Sequence, residues 1–293
     1  IHAPCQGIFP AGVSAEKIHR KVSVQMSETY EKYSPRDIPE LKALWAEVFG
    51  DPDEFIDGFF SLLPGAGYGV VCRAEGRIAA MAYVLDSICF QGVRCAYIYA
   101  VGTRDDMRSH GFGAGVVRKC ASLAREAGCG IVCTSPADAG LYLWYEGVFG
   151  AKAAIYTDER PVTRGDCGRM SDPGRPLSAA EYNSLREKLL SGTPHAEFSD
   201  GYMELENMLC RVYGGGLYPV ENGAAVCYPE GGVLKIRELL CADDGAPDCV
   251  GALLDAFGLE KALVRFPGNG EPIIAAAPSG SFPSGCLWGP ALD

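Results

Sequence analysis

The chain has 293 residues, 48% of them hydrophobic, which is the apolar content of a folded protein with room for two domains. Its formal net charge of −11 is offset by no basic run, which argues against nucleic acid as a partner and mildly favours a cationic one. No apolar run approaches the roughly 18 residues that a spanning helix needs, so the sequence predicts no membrane partner.

The 13 cysteines fall singly in apolar segments, without a C-x-x-C pair, and the four histidines are His2, His19, His110 and His195. Zinc-type spacing is absent, so no metal is expected. Cys129 and Cys133 would share one face of a strand as buried thiols. An odd set of unpaired thiols fits a reducing cytoplasm better than a secreted scaffold.

Residues 1–25 show neither clear period nor cap, and Met26 is a natural start, so residues 1–26 read as a leader or extension. Residues 29–33 predict a short strand. Asp37 with Glu40 forms a capping-box pattern ahead of a helix whose stripe is Ile38, Leu41, Leu44, Trp45, Val48 and Phe49. Gly50 ends it, and a second helix carries Phe55, Ile56, Phe59, Phe60 and Leu63 up to Pro64-Gly65. Asp51, Asp53, Glu54 and Asp57 read as solvated acidic helix ends. Three strands follow at 68–74, 77–90 and 93–103, joined as antiparallel hairpins at Glu75-Gly76 and Gln91-Gly92.

Residues 97–128 organise the rest. A strand ends at Thr103, and a helix over 111–127 carries Phe112, Val116, Val117, Cys120, Leu123, Ala124 and Ala127 on one face, with Gly128 as a left-handed cap. Between them lies Arg108-Ser109-His110-Gly111-Phe112-Gly113. A loop that opens a helix presents unpaired N–H groups and the positive end of the dipole, a natural seat for a phosphate. A Walker loop is excluded because Val116 and Val117 follow Gly115 where Lys-Ser/Thr is required. A dinucleotide fingerprint is excluded by the misplaced third glycine and the lack of a carboxylate near Ile131.

Residues 131–134 predict a buried strand, parallel to 93–103 through the helical crossover. After Pro136, a helix starting at Asp138 or Ala139 carries Tyr142, Leu143, Trp144 and Tyr145, and residues 152–162 give another strand. Residues 166–176 lack apolar content and read as a linker. Beyond it, helices at 179–190 and 202–212 precede strands at 216–219, 224–228 and 233–240, a helix at 247–257 and a strand at 261–266. The strand–strand–strand–helix–strand order repeats that of the first half.

The strand–loop–helix with its Arg-x-x-Gly-x-Gly signature resembles the GCN5-related N-acetyltransferase (GNAT) family. The resemblance implies an α/β (α+β) fold with a mixed central sheet and flanking helices over 27–165, followed by a second GNAT-like domain over 177–293. It implies acetyl-CoA as co-substrate. Arg108, Ser109, His110, Gly111, Phe112, Gly113 and Ala114 would cradle the pyrophosphate, and the backbone of Val101, Gly102 and Thr103 would bond the pantetheine arm. The 141–151 segment resembles the family's helix ending in F-Y-x-x-x-G-F. Its glycine comes one residue late and Ala151 replaces the last aromatic. That match implies Tyr145 as the acid that protonates the leaving thiolate. The second half resembles tandem acetyltransferases in which one half has lost its cofactor site, because Asp243-Asp244 would repel a pyrophosphate where the loop should recur.

In this family the amine attacks the thioester directly. The implied activity is acetyl transfer to a primary amine of a small molecule. Alternatives are a non-catalytic acyl-CoA-binding regulator and a protein or peptide N-acetyltransferase. The base is left among Asp86, Tyr97, Tyr99, Glu146 and water, and a Cys133 acyl-enzyme is the rival chemistry. Nothing in the sequence sets the oligomeric state; a homodimer is compatible with it.

Overall fold

The computed structural model describes residues 27–168, 173–242 and 245–293. The expected leader at 1–26, part of the expected linker and the Asp243-Asp244 pair lie outside the described residues. Strand β1 (Glu28–Lys32) leads to helices α1 (Ile38–Phe49) and α2 (Asp53–Leu62), then β2 (Gly67–Ala74), β3 (Arg77–Phe90) and β4 (Val93–Thr103). Next come α3 (Phe112–Glu126), β5 (Ile131–Thr134), α4 (Ala139–Phe149) and β6 (Lys152–Thr163). The second half contributes α5 (Ala179–Leu189), β7 (Ala196–Phe198), α6 (Asp200–Val212), β8 (Gly216–Val220), β9 (Gly223–Glu230) and β10 (Val233–Leu240). It closes with α7 (Ala246–Phe257), β11 (Lys261–Pro267) and β12 (Glu271–Ala277). Sequence periodicity anticipates every one of these except β7 and β12.

The strands form one mixed sheet in the order β1-β2-β3-β4-β5-β12-β6-β11-β10-β9-β8, with β7 on β3 off this path. Strands β4 and β5 are parallel, as their helical crossover requires. The pairing senses of β2, β3, β4 and β5 recur in β8, β9, β10 and β11: two antiparallel pairs, then a parallel one across a helix. Each run also carries a bulge on its third strand, at Ala100-Val101 in β4 and at Arg237 in β10.

The sheet runs unbroken through both halves. Strand β12 inserts between β5 and β6, and among the described residues β6 pairs with β12 and β11 but with no strand of its own half. The sequence division at 166–176 is therefore crossed by strand pairing on either side.

Two layers cover the faces. On one, Met81, Tyr83 and Leu85 of β3 and Tyr97 of β4 pack with Trp45, Phe59 and Leu44 of α1 and α2 and with Tyr202 and Leu209 of α6. On the other, Ala80, Ala82 and Ala96 lie beneath Phe112, Val116, Val117 and Cys120 of α3, and these small residues let the helix sit close to the strands. Each large apolar side chain buried in these layers stabilises the fold by about 1.5–3 kcal/mol. Gly58 on α2 serves the first layer, since a Cβ there would stand 2.9 Å from Met208 Sδ of α6.

Two local expectations are corrected. The Asp37–Glu40 box does not form: Asp37 Oδ2 accepts from Ser34 N at 2.8 Å and Ser34 Oγ at 3.0 Å. Glu40 instead accepts from Ile78 N at 2.8 Å and Arg104 at 3.2 Å, which ties α1 to β3 and to the end of β4. Cys129 and Cys133 do not share a strand face, because β5 begins only at Ile131; Cys129 packs under α3 and Cys133 on the opposite layer.

Candidate active site

The site begins where β4 outruns β5. Their register covers Cys95↔Ile131 to Ile98↔Thr134, and β5 then stops, so β4 from Tyr99 onwards has no β5 partner. On its other edge β4 stays on β3, but Tyr83↔Tyr99 is followed by Met81↔Gly102, so one residue is extra. Ala100 takes it up at φ +47°, a left-handed conformation that costs a non-glycine residue roughly 1–2 kcal/mol. The bulge turns the backbone of Val101 and its neighbours out of the ladder, where N–H and C=O groups are available to a ligand. Nothing in the sequence marks Ala100.

The expected phosphate loop packs against that strand end. Ser109 (φ +67°) and Gly111 (φ +86°) turn the chain into α3, with Gly111 at the N-cap position. Glycine has no side chain to cap the helix, so the first-turn N–H groups of Phe112, Gly113 and Ala114 face outwards without an intrahelical partner. A Cβ on Gly113 would lie 2.9 Å from Thr103 Oγ1. Gly115 is as constrained, since a Cβ would come within 2.4 Å of the Tyr30 ring of β1. Val101, Gly102 and Thr103 are thus brought together with Gly111, Phe112, Gly113 and Ala114. Arg108 stands at the exposed rim, paired with Asp105 at 2.7 Å, and the His110 ring stacks on Phe112 at 5.7 Å.

Tyr145 approaches from α4, where it is the one buried residue among those described. Its ring packs on Trp144 and Phe149. Burial pushes its phenol up to about 12, with the hydroxyl of Thr134, the last residue of β5, pulling the other way. Thr134 Oγ1 donates to the Ile98 carbonyl at 2.9 Å, so Tyr145 lies at the point where β4 and β5 part. Tyr142 is held elsewhere, its hydroxyl donating to the Pro272 carbonyl at 2.5 Å.

The opposite face of β4 is aromatic and acidic. The Tyr97 hydroxyl donates to the Ala291 carbonyl at 2.8 Å, and Tyr99 to that of Leu292 at 3.3 Å. Tyr99 remains partly exposed, as do Asp51 and Tyr213. Asp51 accepts from Trp45 Nε1 at 2.8 Å. Burial and then the carboxylates of Asp51, Glu206 and Asp293 push the Tyr99 phenol up. Of the four candidate bases, Asp86 lies 3.8 Å from Arg94 and Glu146 is paired with Lys152 at 3.2 Å, both away from this face. Cys133 is fully buried, its thiol pushed up by burial, and its Sγ contacts the Ala96 carbonyl; no histidine accompanies it among the described residues. The acyl-enzyme chemistry lacks its base.

A strand pair that parts at a bulge, beside a glycine-opened helix N-terminus, is the arrangement that the resemblance to the GNAT family implies. Residues 26–150 match the model of the Acetyltransferase (GNAT) family. The search of curated proteins found no match. Among solved structures, a probable N-acyltransferase from Enterococcus faecalis aligns at TM-score 0.64 and 12% identity, over 85% of this chain and 72% of that one. A GCN5-related N-acetyltransferase from Kribbella flavida aligns at 0.63 and 14%, over 86% and 71%. A putative acetyltransferase from Pyrococcus horikoshii aligns at 0.59 and 16%, over 93% and 98%. These likenesses extend the shared fold well beyond residue 150. Residues 26–150 are thus a GNAT acetyltransferase domain by the family model, and the fold neighbours share its architecture.

Proposed function

We propose that the protein transfers acetyl from acetyl-CoA to a primary amine of a small molecule by direct attack. The observation that carries the reading is the gap at the end of β4, with unpaired helix N–H groups on one face and an aromatic, acidic surface on the other. In this reading the N–H groups of Phe112, Gly113 and Ala114, with Arg108, Ser109 and His110 around them, hold the pyrophosphate. The backbone of Val101, Gly102 and Thr103 holds the pantetheine, and an N–H at the bulge polarises the thioester carbonyl. Tyr145 gives its proton to the departing thiolate. Burial raises the phenol, but a thiolate formed in the same enclosed place meets the same penalty, as the thiol of Cys120 does, so donor and acceptor stay matched.

The carboxylates near Tyr99 favour a cationic, small acceptor, and the second half then serves as scaffold and wall, with cofactor bound once per chain. The described cysteines other than Cys241 are free thiols, which suits a reducing cytoplasm. The test is release of free thiol from acetyl-CoA with spermidine, tyramine, glucosamine and a lysine-containing peptide. Thiol release with a small amine supports the reading. Release with the peptide alone favours a peptide acceptor, and binding without release favours a non-catalytic regulator.

A further inference from the structure

Helix α6 brings a carboxylate to the acceptor face that the fold satisfies only by half. Glu206 is fully buried. Its Oε2 accepts the Leu292 N–H at 3.0 Å, whereas Oε1 is buried without a hydrogen-bond partner among the described residues. Leaving such an acceptor unsatisfied costs about 1–3 kcal/mol, so it calls for a use. Leu292 fixes where that oxygen lies: its carbonyl accepts from Tyr99 and its amide donates to Glu206, so the two side chains bracket one residue. Tyr99 is the last β4 residue before the bulge, where the thioester would enter from the other face. Helix α6 packs on α2 and α5 and against β3 and β9 of the sheet.

We propose that Glu206 is the general base of the reaction, supplied to the first-half site by the second half of the chain. The inference rests on the acetyl-transfer reading above. The acceptor binds as the neutral amine, and its nitrogen lone pair forms the C–N bond at the thioester carbonyl. As it does so, one N–H proton passes to Glu206 Oε1. The C–S bond then breaks, its electron pair leaves on sulfur, and sulfur takes the Tyr145 proton. Glu206 returns its proton to solvent and Tyr145 regains one, so amine and thioester become amide and thiol.

The groups facing Glu206 set its titration. They are Asp293, Arg237 of β10, Arg265 of β11, Tyr99 of β4, Tyr228 of β9, and Tyr202 and Cys210 of its own helix. Burial, then the charge of Asp293, pushes the carboxyl up to about 8, against the Leu292 N–H and the two arginines. With that value the carboxyl is mostly protonated at neutral pH, and the base becomes available as pH rises through about 8.

The experiment compares wild type with Glu206→Gln, which keeps an acceptor for the Leu292 N–H, using acetyl-CoA and the same four acceptors from pH 6 to 10. The ratio of the two kcat/KM values cancels the acceptor's own ionisation. It should climb with pH through about 8 and level off near 10²-fold, with acetyl-CoA affinity unchanged. Glu206→Asp, which retains the carboxylate one methylene further back, should keep the climb at reduced size. A ratio flat with pH overturns Glu206 as base while acetyl transfer stands, and so does a tenfold loss of acetyl-CoA affinity in Glu206→Gln. If wild type acetylates none of the four, the acetyl-transfer reading fails and this inference with it.

Discussion

Replacing Tyr145 by phenylalanine separates a proton donor from a packed ring. The ring is 6% exposed and meets Trp144 at 4.8 Å and Phe149 at 6.0 Å, contacts that phenylalanine retains. What is lost is the hydroxyl beside Thr134, whose own proton is already given to the Ile98 carbonyl. One such neutral hydrogen bond contributes about 0.5–1.5 kcal/mol net, a fall in Tm of only a few degrees. Turnover should fall far more. A positioned acid contributes roughly 10²-fold or more, which is about 2.7 kcal/mol of barrier. Because the proton moves only as the thiolate forms, kcat should drop while acetyl-CoA affinity stays near wild type. Initial rates of thiol release at saturating substrates, with calorimetric acetyl-CoA binding, measure both. Tyr142→Phe is the control: it removes the bond to Pro272 at the head of β12 and should lower stability with turnover preserved. Full turnover in Tyr145→Phe beside loss in Tyr142→Phe would refute the assignment.

Three further outcomes follow from the geometry. Gly111→Asp with Gly113→Asp puts carboxylates at the helix N-terminus and a side chain against Thr103, and should weaken acetyl-CoA at least tenfold, about 1.4 kcal/mol; unchanged calorimetric affinity would move the cofactor elsewhere. Gly115→Ala drives a methyl into the Tyr30 ring and should cost about 1–3 kcal/mol in urea unfolding, partly restored by adding Tyr30→Ala; simple additivity of the two losses would contradict the contact. Glu206 has its carboxyl raised from 4.5 to about 8, so the folded chain holds a proton there that the unfolded chain has released. Its stabilisation is full below about 4.5 and lost as pH rises through 8, so the Tm of Glu206→Gln relative to wild type should climb between pH 5 and 9, and parallel Tm curves would remove the raised carboxyl.

The first half was legible because each of its elements is locally consistent. The α3 stripe, the left-handed glycines at 50, 111, 128 and 150 and the hairpin turns carry their own signals. Gly150 closes α4 one residue later than the family motif, yet Tyr145 still turns inwards because the helix buries that position alone among its described residues. Strand β12 was missed because Glu-Pro-Ile-Ile-Ala-Ala-Ala has weak strand propensity; its place comes from β5 and β6 on either side. The bulge at Ala100 has no glycine to announce it. Residues 288–293 show no periodicity, and two of the tyrosines that bind their carbonyls, Tyr97 and Tyr99, lie more than 190 residues earlier in the chain. Glu206 did leave a trace. It falls in the α6 stripe of Tyr202, Leu209, Cys210 and Tyr213, where a carboxylate is out of keeping with the helix's buried face.

The measurement that bears most directly on the central claim is mass spectrometry of the acceptor beside thiol release from acetyl-CoA. The account predicts one acetylated amine for each thiol freed with at least one of spermidine, tyramine and glucosamine, and loss of both signals in the Gly111→Asp, Gly113→Asp variant. Acetyl-CoA bound once per chain, with no thiol freed above the buffer rate for any amine, would contradict it.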